Sequence, residues 1–250
     1  MWSWQGDRAG TGKQRVPAYF AQEVEGLHQG HFPTMATHPS TQVKAGAVAC
    51  ALACIGDLVV PVLLARAYPG YDGVSQSISM LGSSGSPVAG WFTAWSVCLA
   101  VLFIVFALGM QQAFWPGAER LSLAAWLVVV YSLGEGLGSG LFQHDPVRGV
   151  QSLAGWIHSA MSILGSGALY LLPLAWLWKP PACGPRLKGL SVATLILAGL
   201  FMALFGAAKL GWIGHAGLWQ RAYIAVSYIF LLALAWSMWH QPSGEAEHLQ

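Results

Sequence analysis

Two carboxylic acids, Asp57 and Glu135, lie inside long apolar runs. Each can carry or release a proton. In hydrocarbon a lone charge costs several kcal/mol, so such groups face a protein interior, pair with a base or hold their proton. The bases within reach are His158, about one turn into another apolar run, and Arg221, in the first turn of the last run. Asp57–Arg221 or Glu135–His158 pairs would lock helix order. Alternatively, the two acids would be proton carriers along a path, with Arg221 anchoring an anionic substrate.

Other residues suit other chemistry. Ser79, or a water, could attack a lipid-borne ester or phosphoester while His158 or His144 moves the proton and Arg221 holds the anionic group. His144, Asp145, His158 and His215 supply nitrogen and oxygen donors of the kind zinc accepts, but no HExxH spacing joins them. A b-type haem would need paired histidines on facing helices, and only His158 lies clearly within a run. No GxSxG elbow, phosphate-binding loop or dinucleotide fingerprint is present, and no particular cofactor is indicated.

These side chains need a scaffold, and the apolar runs provide it. Gly46–Leu64, Ala89–Phe114, Leu121–Phe142, Leu153–Trp178, Leu190–Leu210 and Leu218–Met238 are each near the roughly 20 residues that cross hydrocarbon as a helix. Hydrophobic residues make up 55% of the chain and charged ones 9%, which excludes an ordinary soluble surface. Trp91, Trp115, Trp178 and Trp239 mark run ends, where indoles favour the interface. The expected fold class is therefore all-α, a six-helix membrane bundle over residues 45–240. A net charge of +2 without a basic stripe points to no nucleic-acid partner. Cys50, Cys54 and Cys98 fall within runs, where Cys50 and Cys54 read as small packing residues.

Residues 1–44 are polar and mixed, read as a disordered tail with an alternative start at Met35, and 241–250 form a short second tail. The loop Lys179–Lys188 carries three positive charges and no acid. That places both termini in the cytoplasm of a plasma membrane and the connections Ala65–Val88, Gln143–Ser152 and Gly211–Gly217 outside. In the first of these, Asp72 would cap a short interfacial helix with Val74, Ile78 and Leu81 on one face and Gly82 as its stop. Ser86 and Pro87 would start the second span. Gly134 with Gly138, and Gly136 with Gly140, form small-residue rows on the third span. Gly155, Ser159, Ser162 and Ser166 line the fourth. These faces would pack together, or the glycines would leave a groove beside Glu135. Pro61 and Pro173 would mark kinks.

The stretch YPGYDGVSQSISMLG before a span, GLFQHD at the end of the third and His158 in the fourth together resemble domain-of-unknown-function family 998. The resemblance spans about residues 46–240 and implies a six-helix integral membrane protein of bacterial or archaeal type without an established reaction. Its characteristic residues are carried here by Tyr68, Pro69, Gly70, Tyr71, Gln76, Ser79, Leu81, Gly82, Phe142 and Asp145. Met80 stands where the family commonly has an acid, and Gln143 where it has a proline, so a role for that acid does not transfer.

The resulting expectation is a polar site at the outer face, built from Tyr71, Asp72, Gln76, Ser79, Gln143, Asp145, His158 and Arg221 and flanked by Asp57 and Glu135. It would bind a small amphiphile or lipid headgroup, with membrane lipids as neighbours and oligomer formation open. The alternatives are a lipid hydrolase or transferase, a small proton-coupled permease, or an accessory subunit.

Overall fold

The computed structural model describes residues 41–146, 152–178, 181 and 185–240. Most of the expected N-terminal tail, part of the Lys179–Lys188 loop and the tail after residue 240 lie outside them. Six helices are long and apolar enough to span a membrane: α1 (Thr41–Arg66), α2 (Ala89–Phe114), α3 (Leu123–Leu141), α4 (Leu153–Trp178), α5 (Pro185–Leu210) and α6 (Ala216–Trp239). No strand occurs among the described residues. α1 and α5 start about five residues earlier than apolarity alone suggests, because polar residues continue a helix beyond the hydrocarbon.

Neighbours in the chain are neighbours in the bundle. α1 packs on α2, α2 on α3, α3 on α4, α4 on α5 and α5 on α6, and α6 closes the ring against α1. α3 and α6 are the most enclosed spans, with 56% and 50% of their apolar windows buried, whereas α5, at 17%, stands at the periphery. The α1–α2, α3–α4 and α5–α6 connections meet at one end, called here the connection end. There Ser84 N–H donates to the His144 carbonyl (3.3 Å) and Leu218 N–H to the Val74 carbonyl (2.9 Å).

α3 is not one continuous α-helix. Ser122 caps its start, its hydroxyl accepting from Ala125 N–H at 3.2 Å. From Ser132 to Gly138 the helix widens into a π-helical segment before a last α turn, Ser139–Leu141. The glycine rows explain why this stretch is so thin. A β-carbon on Gly134 would come within 2.7 Å of the Gly165 backbone, and one on Gly138 within 2.5 Å of Met161, both on α4. On the opposite row, Gly136 lies against Ala100 and Gly140 against Ser96, on α2. So one row meets α4 as expected, while the other meets α2, and close packing takes the place of a groove.

Helices α1 and α4 run through Pro61 and Pro173 without interruption. Away from the connection end the interior is mostly apolar: Phe103, Phe106, Met110, Trp176, Leu231, Leu234 and Met238 are all completely buried, while Ser191 and Thr194 of α5 are buried polar residues toward the same end. Cys50 and Cys54 pack there too, their sulfurs 4.0 Å apart.

Candidate functional site

The first connection is held to α6 by one side chain. Arg221 Nη1 donates to the carbonyls of Gly73 (2.6 Å), Gly217 (3.1 Å) and Gln76 (3.4 Å), and Nη2 donates to the Tyr71 hydroxyl (2.8 Å). Tyr71 in turn donates to the Ser77 carbonyl at 3.1 Å. Gly217 must lack a side chain, because a β-carbon there would strike the Gly73 and Gln76 carbonyls. Gln220 completes the tie, its Oε1 accepting from Ile78 N–H at 2.6 Å. Within the loop, Asp72 accepts from Val74 and Ser75 N–H (3.0 and 3.3 Å), and Gln76 Oε1 accepts from Asp72 N–H (3.0 Å). The Ser75 hydrogen bond, foremost, and the Val74 N–H hold the Asp72 carboxyl below its ordinary range. Burial raises the Tyr71 hydroxyl, against the pull of Arg221.

This chemistry corrects the expected helix. Asp72 caps a turn, and only Ile78–Gly82 winds, as a 3-10 turn with Ile78 and Leu81 buried and Val74 exposed. Ser86 closes that turn by donating to the Leu81 carbonyl at 2.7 Å.

A cavity of about 720 Å³ opens at the connection end. Its walls come from the first connection (Ser75, Gln76, Ser77, Met80), the α3–α4 connection (His144, Asp145), the start of α4 (Trp156, Ser159) and the end of α5 (Lys209). Asp145 braces this wall: its carboxylate accepts from Ser152 N–H (2.7 Å) and Ser152 Oγ (3.0 Å), and Ser152 Oγ accepts from Gly155 N–H (3.0 Å), which caps α4. Burial, then the charge of Lys209, depresses the His144 imidazole from 6.5 to about 4, so it is neutral at neutral pH.

Below it lies a chamber of about 50 Å³, lined by Asp57, Ser79, Ser96, Tyr131, Glu135, Ser139, His158, Ser162, Gln220 and Tyr223 among others. Asp57 Oδ1 accepts from Trp95 Nε1–H at 3.1 Å and Oδ2 from the Tyr228 hydroxyl at 2.7 Å; Tyr228 meets the Tyr131 hydroxyl at 2.7 Å. Trp95 reaches the acid by lying across Gly56, where any side chain would collide with its ring. Glu135 points to α4: Oε1 accepts from Ser162 (2.9 Å) and Ser166, and Oε2 lies 3.1 Å from Ser139 Oγ. Ser166 also meets the Tyr223 hydroxyl at 3.0 Å.

His158 stands between the two spaces. Its Nδ1 faces two carbonyl oxygens, of Ser139 (2.8 Å) and Phe142 (2.9 Å), and its ring packs on His144 with centroids 5.1 Å apart. Carbonyls only accept, so Nδ1 carries hydrogen and the neutral ring keeps its lone pair at Nε2. The Ser77 and Ser79 hydroxyls, 2.9 Å apart, form the other side of the partition.

The description "Protein of unknown function (DUF998)" matches residues 48–237. The chain belongs to the DUF998 family. Neither curated proteins nor solved structures yield a match. Of the residues carrying the DUF998 resemblance, Tyr71 and Gln76 build the latch on α6, Leu81 and Gly82 seat the 3-10 turn against the core and Phe92, and Asp145 holds Ser152, the cap of α4. Ser79 lines the chamber.

In this DUF998 protein neither expected ion pair forms. Arg221 is spent on loop carbonyls, Asp57 takes an indole and a phenol, Glu135 takes serines, and His158 takes backbone. Neutral donors satisfy the acids where charged ones were expected. Ser79 pairs with Ser77, so no serine–histidine hydrogen bond activates it as a nucleophile. Gln143 is exposed and lines neither cavity. No group of three or more metal-ligating side chains gathers among the described residues. His215 instead starts α6 in a left-handed backbone conformation. Sequence reasoning missed Trp95, Tyr131, Tyr223 and Tyr228, although a signal existed: they are aromatic residues with polar tips placed well inside spans, away from the interfaces that usually hold them.

Proposed function

We propose that this protein binds the polar head of a small amphiphile in the 720 Å³ cavity, at the extracytoplasmic end of the bundle in a plasma membrane. The observation that supports it is the cavity's construction. Polar side chains from three segments distant in sequence converge where hydrocarbon gives way to headgroups: Ser75 and Gln76, then His144, then Ser159. Its volume falls within the usual range for small-molecule sites. Trp156, 62% exposed at the rim, offers an apolar shoulder for the tail. Arg221 contributes by fixing the loop, not by touching the ligand.

The test is native mass spectrometry of protein gently extracted from its own membrane, comparing the natural chain with Ser159→Phe, which fills the cavity from a rigid helix. A retained amphiphile in the first and its loss from a folded variant is the expected result. An unliganded mass in both, or equal retention in both, counts against the reading.

A further inference from the structure

We infer that the inner chamber is a proton-transfer site open toward the connection end only, in which Glu135 stores a proton and His158 passes it to the outer cavity. This does not rest on the head-group reading.

The surroundings of Glu135 lead there. Ser139 owns one hydroxyl hydrogen, and its shorter contact, 2.6 Å, is to the Glu135 backbone carbonyl. The same hydroxyl also reaches Glu135 Oε2 at 3.1 Å, and among the described residues no cationic side chain hydrogen-bonds the carboxyl; an acid so placed inside a membrane bundle holds its proton. Glu135 thus sits as the acid, Oε1 accepting from Ser162 and Ser166 and Oε2 beside the Ser139 hydroxyl.

His158 is the independent second observation. It is 5% exposed, its Nδ1–H is committed to two carbonyls, and no partner among the described residues meets Nε2. Among the described residues the only sealed, unpartnered side-chain nitrogen or oxygen is Trp176 Nε1, so Nε2 borders open space, and the space His158 lines is the chamber. That space has room for a water.

The step balances. Glu135 Oε2 gives its proton to a water as that water gives one to His158 Nε2, leaving a carboxylate and an imidazolium. Nε2 then releases the proton to water on the His144 side, and the ring is neutral again. The carboxylate is held by Ser162 and Ser166, and by Ser139 once its hydroxyl turns from the backbone to Oε2. Among the described residues, the titratable and charged groups around this pair are Asp57 from α1, Tyr131 from α3, Tyr223 and Tyr228 from α6, Lys209 from α5, and His144 and Asp145 from the α3–α4 connection. α2 lines the chamber with Phe92, Ser96 and Leu99 and adds none.

The path ends below the acids. At about 1.5 Å per residue, Phe103, Phe106 and Met110 lie roughly 20 to 30 Å from the connection end of α2, whereas Glu135 is about 9 Å from the end of α3. With Leu231, Leu234 and Met238 of α6 they are completely buried and apolar; of the buried polar residues at that depth, Ser191 and Thr194 of α5, Ser191 spends its hydroxyl on the Leu187 carbonyl of its own helix.

The experiment is infrared spectroscopy of the full chain in lipid nanodiscs. The natural protein should show a protonated-carboxyl band that disappears in Glu135→Gln and shifts on transfer to D2O. His158→Gln should slow that shift by about tenfold or more. Ser139→Ala, a milder change, should move the band without abolishing it. No Glu135-dependent band at neutral pH overturns the proton store, and an unchanged exchange rate in folded His158→Gln overturns the relay. In vesicles with a trapped pH dye and an imposed proton gradient, the protein should add no flux above protein-free vesicles; added flux overturns the one-sided path.

Discussion

Asp57 shows how an acid is kept within a membrane bundle without a base: an indole N–H and a phenol occupy its oxygens, and a second phenol backs the first. Removing one hydroxyl leaves both a carboxyl oxygen and the Tyr131 hydroxyl short of a partner. Tyr228→Phe should therefore cost about 1–3 kcal/mol, read as a drop in thermal stability in detergent, and a double-mutant cycle with Asp57→Asn should show coupling between the two. Arg221→Lys replaces a fork spanning three carbonyls and a phenol with a point donor. It should free residues 71–77 to faster amide exchange while leaving α1–α5 unchanged, whereas an anchor for ligand alone would leave that exchange unaltered. His144 adds a pH dependence. Its imidazole titrates at about 4 in the folded protein against an ordinary 6.5, so between these values the unfolded chain holds more protons and stability falls as pH is lowered. His144→Gln should flatten that decline in a thermal-unfolding series from pH 7 to pH 4. The acids, the histidine and the arginine were legible as residues because polar groups stand out in apolar spans. Their partners were not, since a serine or tyrosine in a helix reads as packing until the facing helix is known.

At the scale of elements the decisive feature is the π-helical segment of α3. Its residues alternate duties: glycines press toward α2 and α4, and Glu135 projects between them into the serine cluster. Gly134→Ala should cost about 1–3 kcal/mol, because the added carbon meets the Gly165 backbone, which cannot yield as a side chain can. Gly167→Ala is the matched control on α4: nothing lies within 4 Å of the added carbon, so helix propensity should make it neutral or stabilising by up to about 1 kcal/mol. Comparing the two thermal midpoints separates close approach from intrinsic preference. The six spans were readable from hydropathy to within a few residues. The widened turn was not, since two glycine rows offset by two residues suit either one smooth face or a helix pinched from both sides. The first connection behaves likewise. Its turn residues were visible, but its conformation depends on Arg221, some 145 residues downstream of the carbonyls it binds.

For the molecule as a whole, the ring of helices in chain order explains why the site lies at one end. Odd-to-even connections gather there, and the Tyr71 loop, the His144 wall and the start of α6 close over the two acids. Six spans were enough to expect a bundle, but neighbour order was beyond sequence reasoning, because apolar faces in lipid look alike whichever helix they meet. That order also constrains biogenesis. During synthesis each new helix finds its predecessor already in the membrane, so five of the six ring contacts form as the chain emerges. The seam between α1 and α6 waits for the end. Asp57, made early, receives its phenol from Tyr228 only when the final helix arrives, and the Tyr71 loop receives Arg221 at the same moment. A chain stalled before α6 thus holds Asp57 by the Trp95 indole alone and leaves the Tyr71 loop untied, two features that set an unfinished copy apart from a finished one.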